Sequence, residues 1–123
     1  MAKILIIDDS PTDVRVFTTL LEKAGHEAIA VGTAEEGIER VRSEVPALVI
    51  MDVIMPGMNG FQATRTLTRD PATAQVPIVM ITTKSMETDR VWGLRQGARA
   101  FITKPVNEKE FLDCIHKLLA GTP

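Results

Sequence analysis

Four apolar runs end in side chains that could do chemistry together. Residues 3–7 run into Asp8 and Asp9, residues 47–51 into Asp52, residues 77–81 into Thr82 and Thr83, and residues 100–103 into Lys104 and Pro105. Two carboxylates about 5 Å apart repel by roughly 3 kcal/mol at an effective dielectric of about 20, so three brought together require a cation. Hard oxygen ligands that leave room for water suit Mg²⁺ rather than a soft metal. No glycine-rich phosphate loop of the Walker or dinucleotide type occurs, which argues against a bound nucleotide. A metal, a threonine hydroxyl and a lysine are instead the parts that hold one phosphoryl group, with an aspartate available to accept it.

Bringing these groups together is the work of strands that end side by side. The apolar runs, with a further one at residues 27–31, are short and rich in β-branched residues, and read as five strands separated by segments of helical period. Ser10-Pro11-Thr12-Asp13 supplies an N-cap, a proline at the first helical position and an acid at the third, opening a helix with Val14, Phe17, Leu20 and Leu21 on its apolar face. Gly25 ends it. A capping-box pattern over Thr33 to Glu36 starts a second helix, which continues to about Glu44 and closes before Pro46. A third helix spans residues 61–69, before Asp70-Pro71, and a fourth spans 88–96, before Gly97. Asn107 caps the fifth, whose buried stripe is Phe111, Leu112, Ile115, Leu118 and Leu119. Alternation of nearly all-apolar strands with helices implies a parallel sheet covered on both faces. The expected architecture is a flavodoxin-like, doubly wound α/β domain with strand order 2-1-3-4-5 and five helices, in which ligands bind beyond the carboxyl ends of the strands.

At 123 residues, with 45% hydrophobic and 24% charged side chains, the chain is expected to form one soluble domain over residues 1–123 with no second domain. A formal net charge of −2 gives no support to nucleic-acid binding. The N-terminal apolar run is too short for a signal peptide or a spanning helix, and the single cysteine, Cys114, suits a reducing compartment, so a cytoplasmic location without membrane insertion is expected. Charge is uneven: residues 1–60 hold 10 acids and 5 bases, residues 61–123 hold 6 acids and 9 bases. His26 and His116 read as separate surface residues, Cys114 as a small core residue, and Met51, Met55 and Met58 as core and loop packing.

The motifs Ile6-Ile7-Asp8-Asp9-Ser10, Met51-Asp52-Val53-Ile54-Met55-Pro56-Gly57-Met58-Asn59-Gly60, Ile81-Thr82-Thr83-Lys84 and Phe101-Ile102-Thr103-Lys104-Pro105 together resemble those of the response-regulator receiver domains of bacterial two-component signalling, and the likeness covers essentially the whole chain. With no output domain attached, it is similar to the stand-alone chemotaxis-type regulators. The stretches Gly60 to Arg65 and Thr82 to Arg99 resemble more narrowly the twitching-motility regulators of the type IV pilus chemosensory system.

The resemblance implies a role for each residue. Asp52 is the phosphoacceptor. Asp9 and Asp52 ligate Mg²⁺ directly with the main-chain oxygen of Ile54, and Asp8 acts through water. Lys104 pairs with the phosphoryl oxygens, Thr82 hydrogen-bonds to them, Phe101 is the aromatic switch, and the Lys104–Pro105 peptide is cis. Thr83 departs from the family's usual alanine or glycine, and Ile54 and Lys84 fill variable positions beside the site.

The expected partners are a sensor histidine kinase and a downstream protein target, met by a monomer, with no nucleic acid. Lys84, Arg90, Trp92, Arg95 and Arg99 are the expected partner surface, because they combine positive charge with an aromatic anchor. A phosphohydrolase with an aspartyl nucleophile is the competing class, but it needs a general acid near Asp52 and a substrate-selecting cap, neither of which the sequence contains. A flagellar chemotaxis regulator is the nearer alternative.

Overall fold

Short polar side chains set where the helices begin. In the computed structural model, which describes residues 1–121, Ser10 Oγ accepts from the Asp13 N–H at 3.3 Å and opens α1 (Pro11–Lys23) after β1 (Lys3–Ile7). Gly25, with φ of 90°, turns the chain into β2 (Glu27–Val31). Thr33 caps α2 (Ala34–Glu44) through the Glu36 N–H, and β3 (Leu48–Met51) follows. Asn59 and Gln62 exchange side-chain-to-backbone hydrogen bonds in a complete capping box at the start of α3 (Gly60–Arg69). Then come β4 (Ile78–Thr82), α4 (Glu87–Arg95), β5 (Ala100–Thr103) and α5 (Glu108–Leu119), the last capped by Asn107 through the Glu110 N–H.

All four strand pairings are parallel, in the order β2-β1-β3-β4-β5. The sheet is covered on both faces, as the apolar strands require. On one face Ala34, Ile38, Val41, Ala63 and Leu67 pack on Leu5, Ile7, Val49, Met51, Ile78 and Met80. On the other, Phe17, Leu21, Phe111 and Ile115 pack on Ile4, Ile6, Leu48, Ile50, Val79 and Ile81. There Phe17 and Phe111 stack with centroids 5.5 Å apart, tying α1 to α5.

The elements expected from sequence are present, with edges moved by one or two residues. β3 starts at Leu48, and β4 starts at Ile78 because Pro77 has no N–H to donate and contributes only its carbonyl, to Val49. β4 also reaches Thr82, which pairs with Thr103. α3 begins at Gly60 because the cap is Asn59, and α4 covers Glu87–Arg95. This α4 differs in kind from the other helices: its N-cap, Met86, makes no side-chain hydrogen bond, and its one buried residue is Gly93.

Candidate functional site

Main-chain hydrogen bonds between neighbouring strand ends place each polar group. The Asp8 N–H donates to the Val31 carbonyl at 3.1 Å, the Asp52 N–H to Ile7 at 2.9 Å, and the Lys104 N–H to Thr82 at 2.8 Å. The side chains therefore leave the sheet at its carboxyl end. Acceptor oxygens of Asp8, Asp9 and Asp52 lie within 4.8 Å of one another.

The turn after Asp52 is closely braced. Asp52 Oδ1 accepts from the Val53 N–H at 2.7 Å and the Ile54 N–H at 3.4 Å, leaving Oδ2 toward Lys104. Gly60 donates its N–H to the Val53 carbonyl, and a Cβ at this position would collide with the Asp52 carbonyl oxygen. Only glycine lets α3 start so near the Asp52 backbone. Ile54 projects outward beside the site and is 56% exposed.

Lys104 is the cation of the pocket. Its Nζ donates to Asp13 Oδ2 at 2.7 Å, Asp8 Oδ2 at 2.9 Å and Asp52 Oδ2 at 3.2 Å, with the lysine side chain only 8% exposed. Burial works against its charge, but the hydrogen bonds to Asp13 and Asp8 and the charge of Asp52 outweigh it and hold its pKa above the usual lysine value. Asp8 is pushed the other way from an ordinary carboxylate. Burial raises its pKa, against the lowering effect of the Ser10 N–H and of Lys104, while Asp52 adds to the rise. Among the described residues Lys104 is the only basic group within ion-pair reach of Asp8, Asp13 or Asp52, and Asp9 has no ion-pair partner. Four carboxylates against one ammonium leave the pocket short of positive charge. With its oxygens all hard donors, this set fits a small divalent cation.

Thr82 is fully buried at the end of β4, where its Oγ1 accepts from the Lys84 N–H at 3.4 Å. Phe101, on β5, is half-buried and packs against the α2–α3 side of the core. The Lys104–Pro105 peptide is cis.

The expected partner residues run from the end of β4, along α4, to the residue before β5. Trp92 is 47% exposed and shares a shallow groove with Glu87, Thr88, Val91 and Arg95. Lys84 and Arg90 are each paired locally, with Asp89 and Glu87. Arg99 lies at the start of β5, bonded to the Gln75 carbonyl, so it belongs to the opposite end of the strand from Lys104.

Two relationships escaped sequence reasoning. Asp13 counted there only as an acid at the third position of a helix, yet it makes the shortest contact to Lys104. The signal was its place one turn into the helix that leaves Asp8 and Asp9. His26 and His116, 90 residues apart, are neighbours: their Nε2 atoms are 3.0 Å apart and the Ala2 N–H donates to His26 Nδ1. No local pattern announces such a pair. Met51 and Met55 are buried and Met58 packs on the core, while Cys114 is half-buried against the other core face.

No helix among the described residues is long and apolar enough to cross a membrane. The family model of the response regulator receiver domain matches residues 4–116. Over 121 residues the chain is 51% identical to the protein PilH of Pseudomonas aeruginosa, an alignment covering 98% of this chain and 100% of that one. Among solved structures it is similar to the signal receiver domain of a signal transduction histidine kinase from Syntrophus aciditrophicus, with TM-score 0.91 and 33% identity over 98% of this chain and 92% of that one. It is also similar to a CheY-like response regulator receiver domain protein from Methanospirillum hungatei, with TM-score 0.90 and 28% identity over 98% of this chain and 95% of that one. A two-component receiver fold, an acidic pocket at the strand ends and a family match over most of the chain agree, and the chain belongs to the response regulator receiver domain family.

Proposed function

We propose that Asp52 accepts a phosphoryl group from a histidine kinase and that the phosphorylated chain changes its contacts with a target protein, acting in the control of type IV pilus twitching motility. The observation that carries the chemistry is the convergence of Asp8, Asp9, Asp52 and Lys104 at the carboxyl end of the sheet. A carboxylate oxygen of Asp52 attacks phosphorus. The new P–O bond forms as the P–N bond to the donor imidazole breaks, and the imidazole leaves with the electron pair. Lys104 stabilises the negative charge on the transferring oxygens.

Asp9, Asp52 and the main-chain oxygen of Ile54 would hold Mg²⁺ directly, with Asp8 acting through water. The bound metal supplies neutralisation of charge between Asp52 and the incoming group. After transfer, the Thr82 hydroxyl turns to donate to a phosphoryl oxygen, and Phe101 moves into the space it leaves. The surface carrying Lys84, Arg90, Trp92, Arg95 and Arg99 reports the change to a partner.

The chain assists only its own phosphorylation and dephosphorylation, in the cytoplasm, and needs no nucleic acid. The pilus reading is supported by the 51% identity to PilH over the whole of that protein. Acetyl phosphate with Mg²⁺ should add one phosphate by intact mass, and Asp52→Asn should abolish it. Labelling that survives this substitution would overturn the assignment.

A further inference from the structure

The ammonium of Lys104 has three hydrogens and three carboxylate partners, so no donor is left over. Any phosphoryl oxygen that accepts from Nζ must displace one of them. Asp8 and Asp52 belong to the acidic cluster itself, but Asp13 does not: it stands on the first turn of α1 and has its nearest polar contact with Lys104, 91 residues away in sequence. Its carboxylate is not needed to cap the helix, because Ser10 Oγ takes the Asp13 N–H. With 34% of the side chain exposed, it could face water instead.

We propose that Asp13 is a positioning residue that holds the Lys104 ammonium on the α1 side of the pocket and must yield it before a phosphoryl oxygen can take its place, so that the resting chain resists phosphorylation. This inference rests on Asp52 being the phosphoacceptor. Asp13 acts in two ways that point in the same direction. It occupies a donor that the phosphoryl group needs, and its charge repels an incoming phosphate at the solvent side of the site. A residue that merely favoured the positive end of α1 would affect helix stability and leave anion binding alone.

The test uses the full chain at saturating Mg²⁺, with Mg²⁺ affinity and unfolding midpoint measured for each variant. Asp13→Asn should raise both the rate of phosphorylation by acetyl phosphate and the affinity for fluoroberyllate by about fivefold, the scale of a partly exposed ion pair. Asp13→Glu, which keeps the charge, should stay within about twofold of the parent on the same scale. Glu35, whose Oε2 would lie 3.4 Å from a Cβ at Gly57, carries the same charge near the Asp52 turn and has no ion pair with Lys104. Glu35→Gln should therefore change neither quantity appreciably. Unchanged or weaker fluoroberyllate binding in Asp13→Asn overturns the inference, as does an equal gain in Glu35→Gln, which would make the effect one of bulk charge. If the parent is labelled at Asp52 and Asp13→Asn gains nothing, this inference alone fails; if labelling persists in Asp52→Asn, the phosphoacceptor assignment fails first.

Discussion

Gly93 rests directly on Phe101. A Cβ on Gly93 would lie 3.1 Å from Phe101 Cδ2 and 2.7 Å from Met80 Sδ. Since Gly93 is the one buried residue of α4, the helix takes its seat on the sheet from this contact. Alanine is favoured over glycine in a helix by about 1 kcal/mol, yet Gly93→Ala should lower stability by about 1–3 kcal/mol, because the added methyl forces α4 outward or the ring aside. Chemical denaturation gives the sign. A variant more stable than the parent would mean that α4 can lift away without cost.

Asp9 should show opposite effects with and without metal. In the metal-free protein it only adds to the repulsion at the strand ends, so Asp9→Asn should raise stability there by about 0.5–1 kcal/mol, discounted for its exposure. In the parent, Mg²⁺ at a hundred times its dissociation constant should add about 2.7 kcal/mol, and the variant should lose most of that gain at the same concentration. Paired urea titrations with Mg²⁺ and with a chelator measure both.

His26 sets a pH dependence. Burial, and then the nearby His116 and the N-terminal ammonium, hold its pKa below the ordinary value of 6.5. A group whose folded pKa is depressed contributes stability that is present above the unfolded value and lost as pH falls through the folded one. The stability difference between the parent and His26→Asn should therefore shrink as pH is taken from about 7.5 to about 5. A gap that widens on acidification would contradict the lowered pKa.

Val45 is the one non-glycine with positive φ among the described residues, at 42°, where it closes α2 just before Pro46. A β-branched side chain is costly in this region, and half of Val45 is exposed, so little packing offsets the cost. Val45→Asn should raise stability by about 0.5–1 kcal/mol. The unfolding midpoint checks it.

Periodicity and caps were enough to read the fold because the strands are nearly pure apolar runs and helices such as α1 and α5 open on Ser10 and Asn107. The pocket was legible for a related reason: Asp8, Asp9, Asp52 and Lys104 each follow a strand, and parallel strands end together. Asp13 was missed because a helical position records which face a residue is on, and not that a lysine 91 positions later reaches it. The same holds for the pair His26 and His116. The backbone of Asp52 lying against Gly60 and the ring of Phe101 lying against Gly93 come from outside the glycines' own helices and leave no local pattern. Arg99 counted toward a basic stretch in sequence, but β5 carries it to the far end of the sheet.

The contact of Gly60 with the Asp52 carbonyl fixes more than the start of α3. Together with the Asp52 N–H bonded to Ile7, it anchors the backbone around Asp52 on both sides. Amide hydrogens of Asp52 and Gly60 should exchange with deuterium only when the whole domain opens, whereas those of α4, whose one buried residue is Gly93, should exchange through local opening. A change made at the Asp52 carboxylate therefore has no hinge beneath it to bend, and its influence must travel outward through side chains to the least protected helix of the domain.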